Sequence, residues 1–145
     1  MALELTRAQV DEMIAHAHAE LPNECCGLLA GRGDAVTRVF RARNADSSPY
    51  TFHIDDHDLL RIQKEIDDLG LDLIGFYHSH AWSAARPSKT DIAKAYPPDG
   101  RTGRRAPLYP GYGYVILSLA SSAAPDVKAF RIGDEGIIDE VLVVT

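Results

Sequence analysis

Apolar residues recur at helical spacing through Val10, Met13, Ile14, Ala17 and Leu21, after Thr6 and Gln9 in capping-box form and before a helix-stopping Pro22. The pattern predicts a first helix over about residues 7–20, with His16 and His18 on its surface. CCGLLAG (25–31) and AVTRVFRA (35–42) then read as two strands of a hairpin turning at Arg32 and Gly33. NADSSPY is a loop and TFHI a short strand. Asp55 or Asp56 caps a second helix carrying Leu59, Leu60, Ile62, Ile66 and Leu69, and Gly70 stands just past its end. LDLIGFYHSH is a nearly continuous apolar run ending in two histidines, the pattern of a strand buried on both faces. Ser88 and Asp91 open a short helix running to about Tyr96, and residues 97–111, PPDGRTGRRAPLYPG, form a Pro/Gly loop. YGYVILSLA, VKAFRI and IIDEVLVV supply three further strands. The sum is an α/β fold with a mixed sheet of about six strands and two or three helices, whose strand order periodicity does not give.

The chain's 145 residues, 46% of them hydrophobic, suit one domain over 1–145. Fifteen basic against 21 acidic residues leave a net charge of −6, which disfavours nucleic acid and anionic membranes as partners. No apolar run nears the roughly 20 residues that span a bilayer, and MALELTRAQVDEM does not have the form of a secretory signal, so the cytoplasm is the expected location. Cys25 and Cys26, adjacent and alone, cannot close a loop and read as small apolar strand residues.

Chemistry concentrates in HSHAWSAARPSKTD, residues 78–91. A strand's period of two points the His78 and His80 imidazoles to one face, and Asp91, in the first turn of the next helix, can fold back to the same point. Two imidazoles and a carboxylate are three protein ligands with a position left open, the form of a catalytic zinc site. The same set is also the facial triad of non-haem iron oxygenases. The plainer readings are polar strand-end histidines and, for Ser88 and Asp91, a helix cap with its first-turn acid.

His78-Ser79-His80, ten intervening residues and Asp91, with Pro87-Ser88 just before the aspartate, resembles the JAMM motif of MPN-domain metalloproteases. Glu24-Cys25-Cys26-Gly27-Leu28-Leu29-Ala30-Gly31 is similar to the other half of that motif, E-x-x-G-x-L-x-G. YHSH, PSKTD and NADSSP resemble the wording of the small stand-alone bacterial members that free a cysteine or peptide from the C-terminal Gly-Gly of a ubiquitin-like or sulfur-carrier protein. The resemblance implies a mixed central β-sheet flanked by helices, of cytidine-deaminase-like type. It implies one catalytic Zn2+ on His78, His80 and Asp91, Glu24 as general base, a choice the residues alone do not make over Glu20 or Asp72, and Ser88 as the hydroxyl that stabilises the tetrahedral intermediate. A ubiquitin-like or sulfur-carrier protein is the implied partner, its tail expected to add a strand to a sheet edge near the site. Ala81 stands where the eukaryotic deubiquitinases of that family usually carry proline, and the loop over 97–111 looks longer than in the small bacterial members that the chain resembles. Trp82, Arg101, Arg104 and Arg105 are candidates for substrate binding, against the plain readings of a packing residue and solvated loop charges. His53 and His57 read as cap or surface residues. A non-catalytic module that binds ubiquitin-like proteins is the alternative function, and the sequence leaves a homodimer open.

Overall fold

A computed structural model describes residues 2–121 and 123–145. Among them are β1 (Ala2–Leu5), α1 (Arg7–Glu20), β2 (Cys26–Arg32), β3 (Ala35–Ala42), α2 (Asp56–Asp68), β4 (Asp72–His80), α3 (Lys89–Ala95), β5 (Gly113–Ser118), β6 (Asp126–Ile132) and β7 (Ile137–Val144). The capping box at Thr6 and Gln9 forms as the sequence predicts, Asp55 caps α2, and Gly33 and Gly70 take the positive φ that the hairpin turn and the helix end require. No helix of the described residues is long and apolar enough to cross a membrane.

The strands follow the order β1-β3-β2-β4-β5-β6-β7 and close into a barrel. Closure rests on β1, which runs parallel to β7 from Ala2↔Val141 to Leu5↔Val144 and meets β3 at Glu4↔Ala35. The two helical layers pack on opposite faces of the sheet. Leu3, Leu5, Val10, Met13, Ala17, Leu29, Tyr77 and Val115 form the core under α1, while Leu28, Ile62, Ile66, Phe76, Tyr114 and Ile116 form the core under α2. β4 alternates between them, so Phe76, His78 and His80 lie on the α2 side and Tyr77 and Ser79 on the α1 side.

Four expectations change. Residues 2–5 form a strand, although ALEL is too short and too close to a helix cap for alternation to stand out. TFHI makes a single bridge, Asn44↔Ile54, because the loop around it is organised by side chains. His16 is 4% exposed, since Val10, Met13 and Ala17 turn its flank of α1 onto the sheet, where Nδ1 lies 2.7 Å from the Tyr77 hydroxyl. Finally, β4 is paired on both sides, as are β2 and β5, so a substrate tail finds no open edge on the strand that carries the histidines or on its neighbours.

Candidate active site

The site lies where β2 begins and β4 ends. Antiparallel pairing sets Cys26 opposite His78, so Glu24, two residues upstream, reaches the end of β4 that carries the histidines. The Cys25 amide donates to Ser79 Oγ at 2.8 Å and the Ser79 amide to the Cys25 carbonyl at 3.1 Å, which pins the two strand ends together. Both cysteines are buried, and burial pushes their thiols up to about 12, so they are inert packing groups as the sequence suggests.

His78 Nε2, His80 Nε2 and Asp91 Oδ2 converge, each 3.1 Å from the other two. They form a group of metal-competent donors among the described residues, all buried. Two imidazole nitrogens at that separation share at most one proton, so at least one presents a lone pair inward. His80 Nδ1 donates to the Ala84 carbonyl at 2.8 Å, which fixes the tautomer that leaves Nε2 free as a ligand. Phe52 stacks on the His78 ring with centroids 4.3 Å apart, and Tyr114 packs at 5.2 Å. Burial lowers the affinity of His78 for a proton. For His80 burial acts the same way, but the Asp91 hydrogen bond and the Ala84 carbonyl outweigh it and the net shift is upward. Burial would raise Asp91, yet the two histidine rings beside it hold its carboxyl well below the usual carboxylate range.

Asp91 also closes the cap of α3. The Ser88 amide donates to Asp91 Oδ2 at 2.9 Å, and the Asp91 amide donates to Ser88 Oγ at 3.0 Å. The capping reading is therefore correct, and it is the cap that turns Oδ2 toward the histidines. It uses a lone pair of Ser88 Oγ and leaves the hydroxyl proton free to donate.

Glu24 is 3% exposed, and its Oε1 has no hydrogen-bond partner among the described residues. Burial, opposed by His80 and reinforced by Asp91, raises its carboxyl to about 7. A buried oxygen without a partner is costly unless something absent from the protein chain engages it. Three convergent donors with a set tautomer and an adjacent unpaired carboxylate fit a divalent cation with a water beside it.

The flanking loops carry residues that the sequence did not single out. Asn44 clasps the loop over 44–53: Nδ2 donates to the Glu24 and Thr51 carbonyls, and Oδ1 accepts from the Asp46 and His53 amides. The Glu24 amide donates to the Ser48 carbonyl at 2.9 Å, so this loop holds the backbone of Glu24. Lys94 donates to the Phe52 carbonyl and to Asp46 Oδ2, tying the loop to α3. An Asn just after a strand, followed by polar residues, was the available signal for the clasp. Trp82 is exposed and rests against Tyr50. Arg101 and Arg104 are exposed on the loop over 97–111, whereas Arg105 donates to the Tyr96 carbonyl at 2.9 Å and the Ala93 carbonyl at 3.4 Å, at the C-terminal end of α3. His53 is exposed beside Asp56, and His57 is exposed.

The profile of prokaryotic homologs of the JAB domain matches residues 6–133. The CysO-cysteine peptidase of Mycobacterium tuberculosis is 30% identical, over 90% of this chain and 83% of that protein. A probable TtuB-protein conjugate cleaving protease of Thermus thermophilus is 38% identical, over 76% of this chain and 78% of that one. Among solved structures, a Desulfitobacterium hafniense protein superposes with a TM-score of 0.83 at 37% identity, covering 99% of this chain and 92% of that one. A JAB1/MPN domain protein from Archaeoglobus fulgidus, at 17% identity, shares the fold with a TM-score of 0.55 over 99% of both chains. With a family match over most of its length and a shared fold, the chain belongs to the prokaryotic JAB-domain family, as a small member of the JAMM/MPN peptidases.

Proposed function

We propose that this chain is a zinc-dependent peptidase that hydrolyses the amide bond after the C-terminal Gly-Gly of a ubiquitin-like or sulfur-carrier protein, releasing cysteine or a peptide. The observation that carries the reading is the buried, unpartnered Glu24 carboxylate, close enough to His80 and Asp91 to be shifted by them. The names of the two relatives, a CysO-cysteine peptidase and a probable TtuB-protein conjugate cleaving protease, support the substrate class.

His78, His80 and Asp91 would hold the zinc, which when bound supplies Lewis-acid polarisation of a carbonyl and a water of lowered pKa. Glu24 accepts the proton of the attacking water and later delivers it to the leaving amine. Burial, which favours its protonated form, suits the carboxyl to hold a proton between the two transfers. Ser88 donates its hydroxyl proton to the developing oxyanion, a contribution of about 3–4 kcal/mol for a well-placed donor in other hydrolases. The Ala84 carbonyl keeps His80 in its ligating tautomer throughout. We assign Arg101 and Arg104 to the acidic face or C-terminal carboxylate of the carrier, and Arg105 to holding α3.

The test is intact-mass spectrometry of zinc-loaded protein with the host's ubiquitin-like carriers, each extended by cysteine or a short peptide after Gly-Gly. Wild type is expected to remove the extension, and Glu24→Gln to keep its zinc by elemental analysis while slowing about a thousandfold or more. Wild-type rates in the variant would remove Glu24 from the mechanism. Zinc binding without cleavage of any carrier would instead favour a module that only binds such proteins.

A further inference from the structure

The reactive groups are almost closed to solvent: Glu24 is 3% exposed, His78 0%, His80 3% and Asp91 2%. Two loops flank them, 44–53 beside Glu24 and 81–88 beside His80. Each loop is fastened to the group it flanks, the first by the Glu24–Ser48 and Glu24–Asn44 bonds, the second by the His80–Ala84 bond and by Ser118 Oγ donating to the Ser83 carbonyl at 2.6 Å. Moving either loop would therefore disturb a group of the site. Opening falls to side chains.

Tyr50 and Trp82 span these loops. Tyr50 lies two residues from Phe52, which stacks on His78, and Trp82 lies two residues from His80. Their rings pack on each other with centroids 5.7 Å apart and planes tilted by 53°, yet the residues are 71% and 59% exposed. Large aromatic surface left in water beside a site marks recognition more often than packing. With β2, β4 and β5 paired on both sides, none of these strands offers a free edge to an extended tail.

We propose that Tyr50 and Trp82 form a side-chain gate that also grips the substrate. At rest the rings bridge the two loops that hold Glu24 and His80. They part by rotation about their side-chain bonds, which is fast for exposed residues and leaves both loops in place. Their faces then hold the extended tail of the carrier protein. A Gly-Gly backbone suits them because a flat peptide unit without Cβ atoms can lie against a ring. The gate rests on the peptidase reading given above, and it makes the pair the element that selects the tail.

Trp82 is the only tryptophan of the chain, so its emission reports on the gate directly. Zinc-loaded Glu24→Gln protein is titrated with a synthetic peptide carrying the last residues of the cleaved carrier, Gly-Gly and a cysteine. A saturable change in emission is expected. In the otherwise wild-type protein, Trp82→Ala and Tyr50→Ala should each lower kcat/KM on the extended carrier about tenfold, mainly through KM, with zinc content retained. Tyr50→Phe should restore KM, because the ring is kept, and the double variant should be little worse than either single one. If wild type cuts the carrier but Trp82 emission ignores the peptide, or both alanine variants keep the wild-type KM, the gate is wrong and the function stands. A loss confined to kcat with loss of zinc would give the pair a structural role and also overturn the proposal. If no carrier is cut, the functional reading falls and the gate falls with it.

Discussion

On the proposed function, Ser88 carries two roles on one oxygen. Its Oγ accepts the Asp91 amide and so caps α3, while its proton is available to an oxyanion. Ser88→Ala removes both, and by itself would leave the roles confounded. Ser88→Gly separates them, because glycine is nearly as good an N-cap, within a few tenths of a kcal/mol, while alanine costs about 1 kcal/mol. Both variants are expected to lose about 10²- to 10³-fold in kcat, the usual effect of deleting one oxyanion donor. Steady-state kinetics on the extended carrier and urea denaturation of the same samples check this. Full turnover in Ser88→Gly would leave the serine as a cap only. The same doubling applies to Asp91, whose Oδ2 accepts the Ser88 amide and faces both histidines. A sequence pattern that reads as an ordinary helix start therefore also supplies one of the three groups that converge at the site and could hold a metal.

Among the elements, the glycines of E-x-x-G-x-L-x-G have a steric cause. A Cβ on Gly27 would lie 2.2 Å from Tyr77 Cε1 and 2.4 Å from the Phe40 carbonyl oxygen. Neither can retreat, since Tyr77 is fully buried and engages His16, and Phe40 O belongs to the paired strand β3. Gly27→Ala should cost about 3 kcal/mol, at the upper end of overpacking effects. Because Gly27 lies three residues after Glu24 and Tyr77 immediately precedes His78, zinc stoichiometry should fall with stability. Denaturation midpoints and elemental analysis would show this, and a variant as stable as wild type with full metal would sink it. Elements of this kind were legible where burial imposes a period: α1, α2 and β3 stand where their apolar positions place them, and the uniform apolar run of β4 announced a strand covered on both faces. β1 was not legible because four residues carry too little alternation and its role, parallel to β7, is set by partners at the far end of the chain.

At the scale of the whole molecule, closure of the barrel and the order of its strands depend on pairings between distant segments, which no local pattern encodes. The site was legible as two motif halves, but that they meet follows from the register Cys26↔His78. The Asn44 clasp, Phe52 and Lys94 escaped because polar loops bind through side chains without a period. His16 escaped for the opposite reason: a titratable residue on a helix flank was assigned to water, and the fold buries it. That burial has a global consequence. It lowers the His16 pKa to about 4 from its ordinary 6.5, with Arg41 acting the same way and Glu12 opposing it. The unfolded chain takes up a proton near pH 6.5, and the folded one does so only near 4. Between those values the unfolded state binds more protons, so stability is fully present above about pH 6.5 and falls with pH down to about 4, by roughly 3 kcal/mol in all. His16→Gln cannot titrate and still offers an oxygen to the Tyr77 hydroxyl 2.7 Å from the present ring nitrogen. Urea denaturation of both proteins across this range, with a chelator present so that metal occupancy does not vary, should give a wild-type stability that drops relative to the variant as pH falls. Curves that run parallel from pH 7 to 4 would mean that His16 is protonated in the fold at its ordinary pKa.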